Sequence, residues 1–349
     1  MNYLTCLKIL KHINSNTVSL PHLKNRAYLM THYLLKKPKV LAYPTVLQIE
    51  LTNRCNLNCI MCPRQGMTRA IGDMPLELFN KIVDQLKGKT EIAILHLLGE
   101  SLLHPNLFEM IDYCRKIGIR TVLSTNATLL NEQRAQKLLN SKLDILLLSF
   151  DGFSQKTYEK IRQGADFNKV VENIKSFLLM KNAPYPFIIV QMIEMKDTQD
   201  QIKDFLDFWR DYKVRALVKP FTHWQGDVES IKKLVANPHE VIKSNAICDR
   251  LWMWLTVLAD GTLIPCCRDY DGKYSMGNLK EQTIQEVWNG EKMIEFRKKY
   301  LQGRDKIDIC KTCDYNPVVS ISVLAKSGLV LFDMFSITRL MYDMEYMVK

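Results

Sequence analysis

The chain has 349 residues, of which 47% are hydrophobic and 24% are charged. This length and this balance are typical of a globular protein with one large and one smaller domain, and they exclude a disordered or a solenoid protein. No apolar stretch reaches the roughly 20 residues of a membrane-spanning helix, and the N-terminus lacks a signal-peptide pattern, so we expect a cytoplasmic protein.

The first 45 residues form a basic arm. They carry seven basic residues and no acidic one, and so they account for most of the net charge of +11. Leu4, Leu7, Leu10 and Ile13 fall near helical spacing, which predicts helices here. The arm can contact an anionic membrane surface or pack against the rest of the protein, and the sequence favours packing.

Residues 46–220 alternate between short apolar runs and longer helical patterns. The predicted strands are 46–51, 92–98, 120–124, 145–150, 187–192 and 214–219. The predicted helices are 76–87, 106–117, 131–141, 154–180 and 199–211. Strands that alternate with helices indicate a parallel sheet of βαβ units, which is either open or an incomplete barrel.

The alternation stops in the last third of the chain. Residues 221–247 are polar and read as a linker. Residues 253–258 and 262–265 predict a hairpin around Asp260 and Gly261, and a helix follows near 283–299. We therefore predict a small cysteine-bearing domain at 248–316 and an amphipathic helical segment at 317–349.

Three cysteines follow the first strand. Clustered cysteines in a reducing compartment indicate metal binding rather than disulfides. Cys55, Cys59 and Cys62 lie within eight residues and can converge on one iron–sulfur cluster. Three ligands leave one iron of a 4Fe–4S cluster open, which is typical of a catalytic centre. The alternative is a zinc site or free thiols, although zinc usually takes a fourth ligand and none is adjacent.

The Cys-x3-Cys-x2-Cys run after a first strand resembles the signature of the radical S-adenosylmethionine (SAM) superfamily. The resemblance implies an α/β fold with a partial (β/α)6 TIM-like barrel, and a 4Fe–4S cluster whose open iron binds SAM. It further implies reductive cleavage of SAM to a 5′-deoxyadenosyl radical, which abstracts a hydrogen atom from the substrate. Met61 stands where the family often has an aromatic residue beside adenine.

Further positions resemble the SAM contacts of this family. Gly99 and Glu100 resemble its Gly-Gly-Glu-Pro segment, with Leu98 and Ser101 at the outer positions. The resemblance implies that Glu100 accepts a hydrogen bond from the SAM ammonium and that Gly99 allows a close backbone approach. The alternative for Glu100 is a solvated glutamate in a turn.

Other polar residues lie near predicted strand ends, where ligands of parallel sheets bind. Ser149 and Asp151 resemble family residues near the ribose and methionine of SAM, and Arg162 resembles an arginine that reaches its carboxylate. Asn126 and Gln191 are weaker candidates, and ordinary polar surface is an equal alternative for them and for Arg162. Lys219, His223 and Trp224 can face the substrate or serve a structural role.

A second group of cysteines comprises Cys248, Cys266, Cys310 and Cys313. Four thiolates can enclose a 4Fe–4S cluster, and a structural zinc site is the alternative. The group and its spacing resemble the SPASM extension of radical SAM enzymes in its shortened, Twitch-like form, because no cysteine follows Cys313. Neighbouring residues of a strand face opposite sides, so one of Cys266 and Cys267 binds, and the register favours Cys266.

These patterns predict an oxidoreductase. The resemblance implies a two-electron oxidation of a small polar substrate, such as a sugar or cyclitol, in which the auxiliary 4Fe–4S cluster accepts an electron. It also implies a reductant such as flavodoxin or ferredoxin. A peptide or a lipid is the alternative substrate. A non-catalytic electron carrier and a zinc-dependent nucleic-acid-binding protein are alternatives of another class, but no stripe of basic and aromatic residues indicates nucleic acid.

Overall fold

A computed structural model of the protein describes residues 19–212, 214–221, 231, 233–236 and 247–313. Several predictions fall on other residues. The first helix pattern, His223, Trp224 and the segment 317–349 lie outside the described residues, and so does most of the predicted linker.

The described chain alternates strands and helices in the predicted order. The strands are β1 (Val46–Ile49), β2 (Ile92–Ile94), β3 (Arg120–Thr125), β4 (Ile145–Ser149), β5 (Phe187–Ile193), β6 (Arg215–Lys219), β7 (Trp254–Val257), β8 (Thr262–Ile264) and β9 (Gly277–Asn278). The helices are α1 (Leu20–Leu34), α2 (Leu76–Asp84), α3 (Leu107–Lys116), α4 (Glu132–Asn140), α5 (Gln155–Ile161), α6 (Phe167–Met180), α7 (Ile202–Asp211), α8 (Arg250–Met253), α9 (Ile284–Trp288), α10 (Glu291–Gln302) and α11 (Asp308–Lys311).

All nine of these strands belong to one sheet, in the order β6-β5-β4-β3-β2-β1-β7-β8-β9. Strands β1 to β6 run parallel to their neighbours. The sheet stays open, with β6 and β9 at its edges, so the predicted partial (β/α)6 barrel is confirmed.

The last three strands extend this same sheet. β7 pairs in parallel with β1, and β8 returns antiparallel to β7. The hairpin predicted around Asp260 and Gly261 is therefore present, and the positive φ of Gly261 (+86°) supplies the turn that glycine favours. The sheet is thus continuous across residue 248, although the sequence predicts that a separate domain begins there.

Two predicted helices are each divided in the structure. The pattern at 154–180 forms α5 and α6, because Gly164 adopts a left-handed conformation (φ +93°) that interrupts a right-handed helix. The pattern at 283–299 forms α9 and α10, which meet at Gly290. The first break matters for function because it places Arg162 in a loop.

The sheet has an apolar outer face and a partly polar inner face. Outer-face residues such as Leu47, Leu123, Leu146 and Val190 are fully buried in the main hydrophobic core. The strand residues between them point the other way, since successive side chains alternate. No helix in the described residues is long and apolar enough to cross a membrane.

Helix α1 packs against the barrel through one face only. Arg26 is 4% exposed, and its Nε donates to the Glu91 carboxylate at 2.6 Å. Tyr33 donates from its hydroxyl to the Ile247 carbonyl at 2.8 Å. The predicted packing of the arm against the protein is thus correct for this face, and Arg26 belongs to the core rather than to a basic surface.

Candidate active site

The loop of residues 52–62, which we call the cysteine loop, leaves the carboxyl end of β1. Asn53 is 1% exposed and fixes the start of this loop. Its side chain donates to the Ala70 carbonyl at 2.8 Å and accepts from the Gly72 N–H at 2.8 Å. A buried asparagine with both amide groups bonded resists displacement, because either group left without a partner would cost free energy.

The middle of the cysteine loop is bonded to the segment that follows α5. The Asn58 N–H donates to the Gln163 carbonyl and the Ile60 N–H to the Ile161 carbonyl, each at 3.0 Å. These two bonds frame Cys59 and hold it beside Arg162. The residues that sequence analysis assigned to cluster and SAM binding therefore lie on adjoining segments.

The three thiols of the loop interact electrostatically with one another. Burial raises the pKa of all three, and neighbouring thiolates add to this effect for Cys62 and for Cys59, whose pKa is raised to about 11. The Arg162 guanidinium acts in the opposite direction on Cys55, Cys59 and Cys62. Metals bind the thiolate form, so this positive charge favours the state that binds iron.

Gly99 allows the cysteine loop to pass close to the end of β2. A Cβ atom at this position would lie 2.4 Å from the Thr52 carbonyl oxygen and 2.8 Å from that of Arg54. Its φ of +80° also lies in the region that favours glycine. The close approach expected of Gly99 is therefore made toward the backbone of the cysteine loop itself.

Glu100 is buried, with an exposed fraction of 2%, and so the alternative of a solvated glutamate is wrong. Its Oε1 accepts from Thr125 Oγ1 at 2.8 Å and from the Leu102 N–H at 3.1 Å, and its Oε2 accepts from the Asn126 N–H at 2.8 Å. Burial raises the pKa of this carboxyl, against these hydrogen bonds. A carboxylate has about four acceptor positions, so one remains for the predicted ammonium.

Asp151 and Arg162 are paired with each other. Arg162 donates to Asp151 Oδ2 from Nε at 3.0 Å and from Nη2 at 2.6 Å, and both residues are buried. The other carboxylate oxygen accepts from the Ile193 N–H at 2.6 Å. Ordinary polar surface is therefore the wrong interpretation of Arg162. The predicted contacts of both residues with SAM remain predictions.

Met61, within the cysteine loop, is part of a small apolar cluster. It is 7% exposed and shares this cluster with Ile161, Met195 and Phe221. The cluster also includes Cys59 as a partly buried member. An apolar surface of this kind next to the thiols suits the flat face of a purine, as predicted for Met61.

The inner face of the barrel carries a layer of polar side chains that the sequence analysis recognised only in part. Within the described residues, each of the strands β1 to β6 contributes one of them near its carboxyl end. We call these residues the lumen set: Gln48, His96, Ser124, Ser149, Gln191 and Lys219.

Hydrogen bonds join the lumen set across neighbouring strands. Ser149 Oγ lies 3.2 Å from Ser124 Oγ and accepts from Gln191 Nε2 at 3.1 Å. Gln48 donates from Nε2 to the His96 carbonyl at 3.4 Å. Gln48 and His96 were missed, although each is the polar residue at an alternate position of an apolar run, which is the signal of an inward-facing side chain.

His96 is held in its neutral form. Burial, together with the nearby Lys219 ammonium, lowers the pKa of His96 to about 3. Three acceptor atoms of the lumen set are buried without a hydrogen-bond partner in the described structure: Gln48 Oε1, His96 Nδ1 and Gln191 Oε1. Each of these atoms can accept a hydrogen bond, so this inner face can receive a ligand that donates hydrogen bonds.

The second group of cysteines converges from three segments. Cys248 precedes α8, Cys266 follows β8, and Cys310 and Cys313 flank the end of α11. Burial raises the pKa of Cys310 to about 12 and also raises that of Cys248, and the Cys313 thiol adds to both shifts. Arg268 and Arg304 lower the pKa of Cys310, so this group also has positive charge that favours thiolates.

Cys266 lies close to the other thiols of this group. The Cys266 thiol interacts electrostatically with Cys248 and Cys310, and burial raises its pKa. Cys266 and Cys267 lie in a turn just beyond β8 rather than in the strand, and the choice of Cys266 as the ligand stays a prediction. None of the nine cysteines in the described residues forms a disulfide. No three side chains of histidine, cysteine, aspartate or glutamate in the described residues are arranged to hold a single metal ion.

The family comparisons agree with this arrangement. The model of the radical SAM superfamily matches residues 49–209, and that of a SPASM iron–sulfur cluster-binding domain matches residues 248–314. The chain belongs to the radical SAM superfamily. It is a radical SAM enzyme with a SPASM-type domain, and the cofactors of such an enzyme are SAM and 4Fe–4S clusters. The three thiols of the first group and the four of the second fit these clusters by number and by chemistry.

Several known proteins are similar to this radical SAM enzyme. A tungsten-containing aldehyde ferredoxin oxidoreductase cofactor-modifying protein of Pyrococcus furiosus is 26% identical over 77% of this chain and 90% of its own. A SAM-dependent 2-deoxy-scyllo-inosamine dehydrogenase of Niallia circulans is 23% identical over 77% of this chain and 92% of its own. The crystal structure of Streptococcus suis SuiB bound to its precursor peptide matches with a TM-score of 0.63 and 16% identity, over 87% of this chain and 77% of SuiB.

Proposed function

We propose that this enzyme oxidises a small polyhydroxylated molecule, of the sugar or cyclitol type, by two electrons. The observation that carries the proposal is the lumen set, with its unpartnered acceptor atoms on Gln48, His96 and Gln191. Hydroxyl groups donate hydrogen bonds, so a molecule with several of them would satisfy these atoms. The similarity to a 2-deoxy-scyllo-inosamine dehydrogenase supports a cyclitol-like substrate.

The cofactor ligands are part of this proposal. Cys55, Cys59 and Cys62 would hold the cluster that binds SAM. The second group of cysteines, which we call the Cys248 group (Cys248, Cys266, Cys310 and Cys313), would hold the auxiliary cluster. When bound, the first cluster with SAM would supply a 5′-deoxyadenosyl radical that takes the hydrogen atom of a substrate C–H bond. The auxiliary cluster would accept the second electron of the oxidation, once the hydroxyl on the same carbon has lost its proton. The organic product is a ketone or an aldehyde.

The protein's own residues would bind and orient both molecules. Glu100 and Arg162 are proposed to meet the ammonium and the carboxylate of SAM, and Met61 its adenine. Gln48 and Gln191 would accept hydrogen bonds from substrate hydroxyls, and neutral His96 would accept another. Because Asp151 fixes Arg162 and Ser149 fixes Gln191, these groups are oriented before the ligands arrive, which lowers the entropic cost of binding.

The test begins with the anaerobically reconstituted enzyme, dithionite and SAM. The probes are 2-deoxy-scyllo-inosamine and myo-inositol, each deuterated at its carbinol carbons. We expect a probe to raise the rate of 5′-deoxyadenosine formation and deuterium to appear in this product. If 5′-deoxyadenosine forms but no polyhydroxylated probe stimulates it or transfers deuterium, the proposed substrate class is wrong.

Variants of the lumen set sharpen this experiment. Gln48→Leu and Gln191→Leu should abolish the stimulation by the probe while SAM cleavage without substrate continues. Gln136→Leu is the matched control, because Gln136 is exposed on α4. Equal effects of all three substitutions would contradict a role of the inner face in substrate binding.

Two further predictions remain proposals. If a peptide or a lipid, and no polyol, raised the rate of 5′-deoxyadenosine formation, the substrate would be of that alternative class. Flavodoxin or ferredoxin would be confirmed as the reductant if either one replaced dithionite in the same assay.

A further inference from the structure

Helix α1 buries one face and exposes apolar side chains on its other side. The buried face of the helix packs on the barrel through His22, Arg26, Leu29 and Tyr33. With 3.6 residues per turn, the residues on the opposite side share a second face. This outer face and the segment just after it expose six large apolar side chains: Leu20, Leu23, Tyr28, Leu34, Leu35 and Leu41.

The exposure of these side chains is large. Leu20 and Tyr28 are each 64% exposed, Leu35 is 61% and Leu41 is 66%. Single exposed leucines are common, but several large exposed apolar side chains within one short segment favour an interaction site. Elsewhere in the described residues, two other large apolar side chains are exposed to this degree, Ile71 and Leu179. They lie far apart from each other in the sequence.

Positive charge surrounds this face. Lys24, Lys36, Lys37 and Lys39 are all exposed. Residues 1–45 contain no acidic residue, so no carboxylate of this segment offsets them. Leucines that project between lysines match the chemistry of an anionic lipid surface, where the side chains enter the boundary of the acyl chains and the ammonium groups meet the headgroups.

We propose that the outer face of α1, with residues 35–41, docks the enzyme on an anionic membrane surface. The helix would lie in the plane of the interface and the barrel would stay in the water. This mode needs no spanning segment, and it is independent of the substrate proposed above. The charge pattern favours a lipid surface over a second copy of this chain, because two such basic faces would repel each other.

Vesicle flotation with the full-length protein tests this proposal. The probes are vesicles of phosphatidylcholine alone and vesicles of phosphatidylcholine mixed equally with phosphatidylglycerol. We expect binding to the anionic vesicles only, and release at high salt because screening weakens it. Binding to neither vesicle, or equal binding to both, would overturn the proposal.

Two sets of variants separate charge from apolar insertion. Lys36→Gln/Lys37→Gln/Lys39→Gln should lower the partition coefficient by about 100-fold. Leu34→Gln/Leu35→Gln should lower it by about tenfold for each leucine that enters the membrane. The matched controls are Lys156→Gln/Lys292→Gln/Lys299→Gln and Leu179→Gln, which remove exposed side chains elsewhere and should bind as the wild type does.

Thermal denaturation of every variant confirms that it is folded. Light scattering after size-exclusion chromatography shows whether α1 joins two copies instead. A dimer that Leu34→Gln/Leu35→Gln dissolves would identify the outer face as a subunit interface and overturn membrane docking. Equal loss of binding in the control variants would also overturn it.

Discussion

Asp151 and Arg162 form a buried ion pair although a helix separates them in the chain. Arg162 Nη2 lies 2.6 Å from Asp151 Oδ2, and both side chains are less than 10% exposed. Removal of one partner of a buried pair leaves the other charge in a medium that solvates it poorly. The pair also sets the position of the positive charge that favours the thiolate of Cys59.

We therefore expect Asp151→Asn to lower the free energy of unfolding by about 3–5 kcal/mol, as for other broken buried pairs. The control is Asp197→Asn. Asp197 pairs with Lys160 on the surface, where the exposed fractions are 35% and 60%, and the loss should stay below about 1 kcal/mol. Urea denaturation measures both. Similar losses in the two variants would show that the Asp151 pair contributes no more than a surface pair.

Gly99→Ala should displace the cysteine loop. The added Cβ would lie 2.4 Å from a backbone oxygen, and no side-chain rotation relieves that contact. Gly118→Ala is the control, because Gly118 has nearly the same φ (+84°) but no atom within 4 Å of an added Cβ. Iron bound per chain after reconstitution should fall in Gly99→Ala and stay at the wild-type value in Gly118→Ala. Equal iron contents would contradict the role assigned to the close approach.

The two groups of cysteines should hold separate clusters. The triple variant Cys55→Ala/Cys59→Ala/Cys62→Ala should keep about half of the bound iron and form no 5′-deoxyadenosine, since only the Cys248 group remains. Iron and sulfide analysis with Mössbauer spectroscopy measures this. A triple variant that binds no iron would show that the Cys248 group holds no independent cluster.

Cys266→Ser should remove the auxiliary cluster, and Cys267→Ser should not. The Cys266 thiol interacts with Cys248 and Cys310 and packs with them against the main core, of which Cys267 is not a member. The two substitutions change neighbouring residues by the same single atom, so each controls for the other. The prediction is wrong if Cys267→Ser loses as much iron as Cys266→Ser does.

His96 should make the stability of the protein fall in acid. Its pKa is near 3 in the folded protein and about 6.5 when unfolded, so the unfolded chain binds more protons between these values. The contribution of neutral His96 to the free energy of unfolding is complete above pH 6.5. It is lost as the pH falls toward 3, with a slope of up to about 1.4 kcal/mol per pH unit. Urea denaturation of the iron-free wild type and of His96→Gln across this pH range should show the wild type losing stability relative to the variant as the pH falls, whereas parallel curves would contradict a neutral, partly buried His96.

Much of the barrel is predictable because its signals are local. Six apolar runs marked the strands of the parallel sheet, and the Asp260–Gly261 turn marked the hairpin. The pairing of β7 with β1 has no local signal, since it joins segments about 200 residues apart. The break at Gly164 was missed because the apolar period continues on both sides of it.

The candidate site was predictable where a short motif carries it. The cysteines, Gly99, Glu100 and Arg162 stand in or near recognisable segments. Gln48 and His96 do not, and they join the site only because the sheet curves and brings the ends of its strands around one lumen. The pairing of Asp151 with Arg162 likewise depends on how α5 ends, which sequence spacing does not reveal.

The position of β1 between β2 and β7 has a consequence for assembly of the enzyme. β1 leads directly into Cys55, Cys59 and Cys62, and it is hydrogen-bonded on one side to β2 and on the other to β7, from which the hairpin continues to Cys266. Neither half of the protein can complete its sheet without this strand. Both groups of cysteines therefore depend on the same sheet, and we expect cleavage between the halves to disturb the two groups together rather than release one of them intact.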